Sequence, residues 1–237
     1  MRGEIVHMGT MIPLSRTAAA TLETGRTSPP SRTPSVVLDT GTPPRSRFDP
    51  RSVASRIARR ARWHVQRRHF HAFGRDSVLE AYVELHGPEA MSVGREVTIR
   101  RFARLEVVGA ERRRPILQIG DHVMISEFVH IGAATSVILR AGAGIAAHVL
   151  ITDHEHDLRD PADYRNTRVI AAPVDIGEEV FVGERACILR GVTIGAHAII
   201  GAGSVVNTDI PPLTMAVGSP ARVVKRWNTT RREWVSV

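Results

Sequence analysis

The chain predicts an all-β fold, a solenoid of short parallel strands wound into a triangular prism, and three observations carry that prediction. Aliphatic residues recur every six positions through most of the second half, as at Ile176, Val182, Ile188, Ile194, Ile200 and Val206. Glycine often follows at the next position, as at Gly177, Gly183, Gly195 and Gly201. Only 5% of the 237 residues are aromatic, although 43% are hydrophobic. A period of six is neither the 3.6 of a helix nor the 2 of a straight strand, so the chain must turn a corner every six residues. Three such segments make an 18-residue coil. Coils stacked at about 4.8 Å bury columns of like side chains in a core too narrow for many rings. A small residue or glycine is expected near each corner, where the backbone needs positive φ.

The elements follow in chain order. Residues 1–50 are rich in Ser, Thr, Pro and Arg and predict a disordered extension, because such a segment buries too little apolar surface to offset its ordering entropy. A start site set too far upstream would produce the same composition, and an Arg-rich, acid-poor leader also shares the character of organelle transit peptides. Residues 51–70 predict a basic helix with Val53, Ile57 and Ala61 on one face. Such a helix either touches an anionic lipid surface weakly or packs its thin stripe on the domain, and the modest stripe favours packing. Residues 71–227 predict the solenoid, with a C-terminal tail at 228–237. Its beat runs through Val93, Ile99 and Leu105, then Ile119, Ile125 and Ile131, then Leu139, Ile145 and Ile151. Two extra residues separate Ile131 from Leu139, so one turn is longer there. Residues 152–173 interrupt the beat with two His, five acids and three Arg, which predicts a loop ejected from one corner.

Charge and composition exclude several functions. The formal net charge is +8, but residues 1–70 hold 13 Arg against 4 acids, while residues 71–237 balance 19 basic against 20 acidic groups. The folded part is therefore nearly neutral, and a nucleic-acid partner is not expected. A single cysteine, Cys187, excludes an intramolecular disulfide and a Cys-rich zinc site. The absence of a long apolar run and of an apolar h-region points to a cytoplasmic protein.

These motifs resemble the hexapeptide-repeat acyltransferases, whose repeat is [LIV]-G-x-x-[STAV]-x. Within that family, residues 119–227 are similar to the maltose, galactoside and nodulation-type O-acetyltransferases. The resemblance implies a left-handed parallel β-helix, a homotrimer with active sites between prisms, and acetyl-CoA as acyl donor. It also implies a short C-terminal helix after Asp209-Ile210-Pro211 and Gly218-Ser219-Pro220-Ala221-Arg222. In the family a loop histidine five residues after the last aliphatic position acts as general base. Counting from Ile151 selects His156, and His154 is the competing choice. Neutral imidazole suits the removal of a hydroxyl proton near neutral pH. Asp153, Glu155 and Asp157 are all close enough to orient it.

The resemblance places Ser126, His130, Asp153 and Phe181 with the acceptor, a sugar or glycan. It places Gly183 and Ala202 along the pantetheine arm of coenzyme A, Asn207 and Thr208 near its adenosine end, and Arg222 with Lys225 at its phosphates. His122, His148 and His197, with His130, occupy turn-like positions of the repeat and are expected to be mainly structural. The chain departs from the family where Phe181 replaces a common Trp, where Thr208 replaces a basic residue, and where an Asn beside Ser126 is missing. Two other readings stay open: a γ-type carbonic anhydrase binding zinc through histidines, and a non-catalytic scaffold. The loop acids and the closing segment favour the transferase, with no metal.

Overall fold

The computed structural model describes residues 68–109, 115–159 and 168–237. The expected disordered segment 1–50 and nearly all of the basic segment 51–70 lie outside the described residues.

Short strands dominate, and three parallel sheets form the sides of the prism. The first sheet stacks Ala72–Phe73, Met91–Val93, Leu117–Ile119, Val137–Leu139, Val174–Ile176 and Thr193–Ile194. The second stacks Val78–Leu79, Thr98–Ile99, Met124–Ile125, Gly144–Ile145, Phe181–Val182, Ile199–Ile200 and Thr214–Val217. The third stacks Glu84–His86, Arg104–Val107, His130–Ala133, Leu150–Thr152, Cys187–Ile188 and Val205–Val206. Each strand pairs with its counterpart one coil away, so the six-residue beat becomes a set of vertical columns. Val93, Ile119, Leu139, Ile176 and Ile194 form one. Ile99, Ile125, Ile145, Val182 and Ile200 form the second. Leu105, Ile131, Ile151, Ile188 and Val206 form the third. All fifteen are buried, and each such side chain contributes about 1.5–3 kcal/mol relative to exposure.

Glycine serves the corners only in part: Gly142, Gly191 and Gly203 sit there at φ 72°, 76° and 69°. Gly177 and Gly183 follow the aliphatic residue, yet the corner with positive φ comes three residues after it. There the chain places Glu96, Phe102, His122, Phe128, His148, Glu179, Arg185 and His197, all at φ between 53° and 63°. At Gly177 and Gly183, one step after the aliphatic residue, glycine is required because the next coil's backbone is so close. A Cβ on Gly183 would lie 2.6 Å from Ala202 N and 2.8 Å from Ile200 O. His122, His148 and His197 are exposed corner residues, whereas His130 lies within a strand of the third sheet.

The expected C-terminal helix is a β-hairpin instead. Arg222–Asn228 pairs antiparallel with Thr214–Val217, and Glu233–Ser236 pairs back onto it, so residues 228–237 are no loose tail. The last coil leaves an unpaired sheet edge, and β-branched Val223 and Val224 suit a strand that covers it. Val223 packs against the core, and the Trp227 and Trp234 rings meet edge-on at 5.4 Å. Among the described residues no helix is long and apolar enough to cross a membrane.

Candidate functional site

The interruption at 152–173 begins where the third strand of the fourth coil ends. Its arms, His154–His156 and Val169–Ala171, form a two-stranded antiparallel hairpin. Ala172 N–H donates to Asp153 O at 2.8 Å, and Gly191 N–H donates to Ala172 O at 3.0 Å. Those bonds seal the base of the hairpin onto the prism, so its first residues are held as firmly as the coils.

Asp153 is fully buried. Its carboxylate accepts from the backbone N–H groups of Ala134, Thr135 and Ser136 at 2.7, 2.7 and 2.8 Å, and from Thr135 Oγ1 at 3.0 Å. These donors are the residues of the lengthened turn between Ile131 and Leu139. Desolvation pushes the Asp153 carboxyl up, but the backbone donors and His154 outweigh it and hold the group below the ordinary carboxylate range.

His154 stands on this anchored carboxylate. Its Nδ1 lies 3.0 Å from Asp153 Oδ1 and 3.3 Å from Thr152 Oγ1. A carboxylate only accepts, so the proton belongs on Nδ1 and Nε2 is left as the basic nitrogen. The side chain is 17% exposed, and its Cε1 rests above Gly132 of the neighbouring coil, where a Cβ would lie 3.1 Å away. His156 sits two residues further along the same arm, opposite Val169, and is exposed. It makes no side-chain hydrogen bond among the described residues. The two histidines therefore share a face of the hairpin and differ in depth, and only His154 has an orienting partner. Asp157 is engaged elsewhere: its hydrogen bonds to Arg159 hold it down at about 2. Glu155 pairs with Arg190 at 2.8 Å and ties the hairpin to the fifth coil.

The other expected site residues fall into separate groups. Asp153, expected at the acceptor, cannot touch one, because it is buried beneath His154. His130 shares the outer face of the third sheet with Thr152, one coil below, and Ser126 lies at the corner leading into that strand. Phe181 is half exposed on the second sheet, between Gly144 and Ile199, and so lies on a different side of the prism from His154. Gly183 and Ala202 are brought together at the corner between the second and third sheets. Asn207 and Thr208 are exposed just after Val206, at the same corner as His154 and two coils away, roughly 10 Å along the prism. Arg222 and Lys225 are exposed on the closing strand. Sequence reasoning missed Gly132, Thr152, Arg190 and the 134–136 turn; the two-residue slip before Leu139 was the available signal for the turn. Among the described residues no group of three or more His, Cys, Asp or Glu side chains is gathered to hold a metal ion.

Comparison with known proteins agrees with this architecture. Residues 173–208 match the family described as bacterial transferase hexapeptide (six repeats). The chain is 31% identical over 153 residues to the putative lipopolysaccharide biosynthesis O-acetyl transferase WbbJ of Escherichia coli K12, covering 61% of this chain and 76% of that protein. This chain belongs to the hexapeptide-repeat acyltransferases. A second relative in this acyltransferase family, the galactoside O-acetyltransferase of E. coli K12, is 41% identical over 80 residues, which is 33% of this chain and 37% of that protein. Among solved structures, the hexapeptide-repeat acetyltransferase VCA0836 of Vibrio cholerae, in complex with acetyl coenzyme A, aligns with a TM-score of 0.52 and 24% identity over 71% of this chain and 78% of its own. The N-acyltransferase AntD of Bacillus cereus, in complex with dTDP and 3-hydroxybutyryl-CoA, aligns at 0.60 and 17% over 71% and 89%. At these identities the two solved structures speak for the fold alone, and the chain is an acetyltransferase by its family.

Proposed function

We propose that this chain is an acetyl-CoA-dependent O-acetyltransferase that esterifies a hydroxyl of a sugar or glycan, with His154 as general base. The Asp153–His154 pair at the mouth of the ejected hairpin carries the reading. His154 Nε2 takes the proton of the acceptor hydroxyl as its oxygen attacks the thioester carbonyl carbon. The resulting imidazolium is stabilised by the Asp153 carboxylate 3.0 Å from Nδ1. When the C–S bond breaks, the same proton passes to the thiolate, leaving an acetyl ester and free coenzyme A. Preference for His154 over His156 rests on that partner and on burial. The acetyl ester, rather than an amide, is supported by the relatives named O-acetyltransferases.

In this reading Ser126 and His130 meet the acceptor, and Gly183 and Ala202 flank the pantetheine arm. Asn207 and Thr208 lie toward the adenosine, and Arg222 and Lys225 answer its phosphates. A left-handed coil and a homotrimer, with Phe181 of one protomer presented across a subunit boundary, complete it.

The test is binding of coenzyme A by calorimetry, together with acetyl transfer by wild type, His154→Ala and His156→Ala. We expect all three to bind coenzyme A, with His154→Ala slowed by about 10²–10⁴-fold and His156→Ala near wild type. The reverse order of the two variants returns the role to His156. Failure of the wild type to bind coenzyme A removes the transferase reading.

A further inference from the structure

The two ends of the prism are finished differently, whichever histidine is the base. At the C-terminal end the strand Arg222–Asn228 covers the edge of the second sheet. At the N-terminal end Ala72–Phe73, Val78–Leu79 and Glu84–His86 each pair on one side alone among the described residues. A bare first coil exposes the tips of the core columns and three rows of unpaired backbone groups, so a solenoid needs a terminal cap. We propose that residues 51–67 of this chain supply that cap, docking their apolar side in a groove of the first coil.

The groove lies over two of the three columns. Phe73, Leu79 and Leu85 head the columns, pairing with Val93, Ile99 and Leu105 of the next coil. Phe70 closes the first: its ring lies 4.9 Å from that of Phe73, and both are buried. Leu79 and Leu85 instead line an open groove of about 200 Å³ together with Tyr82 and Val83. Val83 and Leu85 pack on the core yet are only partly buried, and Tyr82 is 76% exposed. Their counterparts one coil on, Ala103 and Leu105, are fully buried, because a coil covers them. The first coil thus lacks one apolar layer.

Position, pattern and charge select the occupant. The described chain begins at Arg68, and His69 and Phe70 stand in the groove wall, so residue 67 is tethered beside the groove with no linker between. At helical spacing Val53, Ala54, Ile57, Ala58, Ala61 and Val65 fall within an arc of about 140°, and all six Arg of residues 51–67 fall outside it. That segment holds no acid, whereas residues 71–90 carry Asp76, Glu80, Glu84 and Glu89 against Arg75 alone. Glu80 lines the groove itself, and Asp76 and Glu84 make no ion pair among the described residues. An apolar stripe flanked by arginines therefore meets an apolar groove flanked by carboxylates. A stripe seated there is withdrawn from any lipid surface.

The test uses the full chain with the photo-crosslinker p-benzoylphenylalanine in place of Ala61. Irradiation is expected to join that position to the peptide 69–88 in a product that runs as a single chain on a denaturing gel. No crosslink, or one to another part of the prism, overturns the proposal. A product of two chains assigns the groove to a second copy and overturns it too. Adding phosphatidylcholine–phosphatidylserine vesicles is expected to leave the yield unchanged; loss of the crosslink as the protein sediments with the vesicles gives the stripe to lipid and overturns it. Hydrogen exchange reads the contact without the crosslinker. Ile57→Asp is expected to speed exchange of residues 78–86 about tenfold, with residues 187–206 unchanged. Arg59→Ala, on the charged side, is expected to match wild type. Residues 78–86 as protected in Ile57→Asp as in wild type, or equal effects of the two variants, overturn the proposal.

Discussion

Replacing Asp153 with Asn perturbs both the anchoring of the hairpin and the chemistry of His154, because one carboxylate serves both. In the native site Oδ1 takes Ala134 N–H and faces His154 Nδ1, while Oδ2 takes Thr135 N–H, Ser136 N–H and the Thr135 hydroxyl. An amide of the same shape has one accepting oxygen. Its better orientation keeps that oxygen among the three donors at the Oδ2 position and turns the NH₂ toward Ala134 N–H and His154. One backbone donor is orphaned at about 1–3 kcal/mol, and the three surviving bonds lose their charge assistance, about 1 kcal/mol each. The expected loss is about 4–6 kcal/mol, or roughly 10–20 °C in Tm for a folded region of this size. The NH₂ also donates to Nδ1, which drives the ring proton to Nε2 and removes the basic nitrogen. A fall in kcat of about 10²–10⁴-fold follows. The Asp153 pKa is depressed in the folded state, so its stabilisation is present above the unfolded value near 3.9 and is lost as pH falls through the lower folded value. The Tm gap between wild type and Asp153→Asn should therefore be constant from about pH 5 to 8 and close below about pH 4. Thermal unfolding across that range, with acetyl transfer at neutral pH, measures both halves. A variant within about 1 kcal/mol of wild type, a gap that widens in acid, or unchanged kcat would refute the reasoning.

Three further outcomes test other parts of the architecture. Gly132→Ala places a methyl 3.1 Å from His154 Cε1, and the ring must yield by a few tenths of an ångström; about a tenfold fall in kcat with little change in Tm is expected from kinetics and thermal unfolding. Gly183→Ala forces a Cβ against Ala202 N and Ile200 O and should cost about 1–3 kcal/mol in chemical denaturation; Gly203→Ala, at φ 69° with open space around it, should cost about 1 kcal/mol through backbone strain alone. Ile145→Ala removes a fully buried side chain from the middle of a column and should cost about 2–5 kcal/mol with coenzyme A affinity unchanged.

The coils were legible because their cause is local. Each aliphatic residue of the six-residue beat lands in a column, and the loop at 152–173 shows itself as the place where the beat stops. What escaped depends on contacts between distant residues. His154 and His156 lie on one face of one arm, so counting from Ile151 cannot tell them apart. The distinction comes from Gly132 and from the 134–136 turn, one coil away. The same turn selects Asp153 from three nearby acids. The closing segment was misread because Gly218-Ser219-Pro220-Ala221-Arg222 signals a chain leaving the last coil but does not say what covers the exposed edge. The β-branched pair Val223-Val224 followed by Trp227 held that information. The bulky residues at positive-φ corners, Tyr82, Phe102, Phe128 and His148, stand three residues after Leu79, Ile99, Ile125 and Ile145, where small residues were expected.

The solenoid also explains why stability and chemistry are separable in this chain. Every coil is held by its own columns and by the backbone of its neighbours, so a hairpin ejected from one corner takes little from the core. The two extra residues before Leu139 leave the columns in register, since Val137–Leu139 still pairs with Leu117–Ile119 and Val174–Ile176. Their effect is confined to the corner, where three N–H groups turn outward as a nest. A carboxylate from the next coil fills that nest, and its second role is to fix the imidazole above it. The longer turn and the ejected loop are thus one device placed on adjacent coils. A change that restores the 18-residue coil at 134–136 should leave a folded prism and a mispositioned His154.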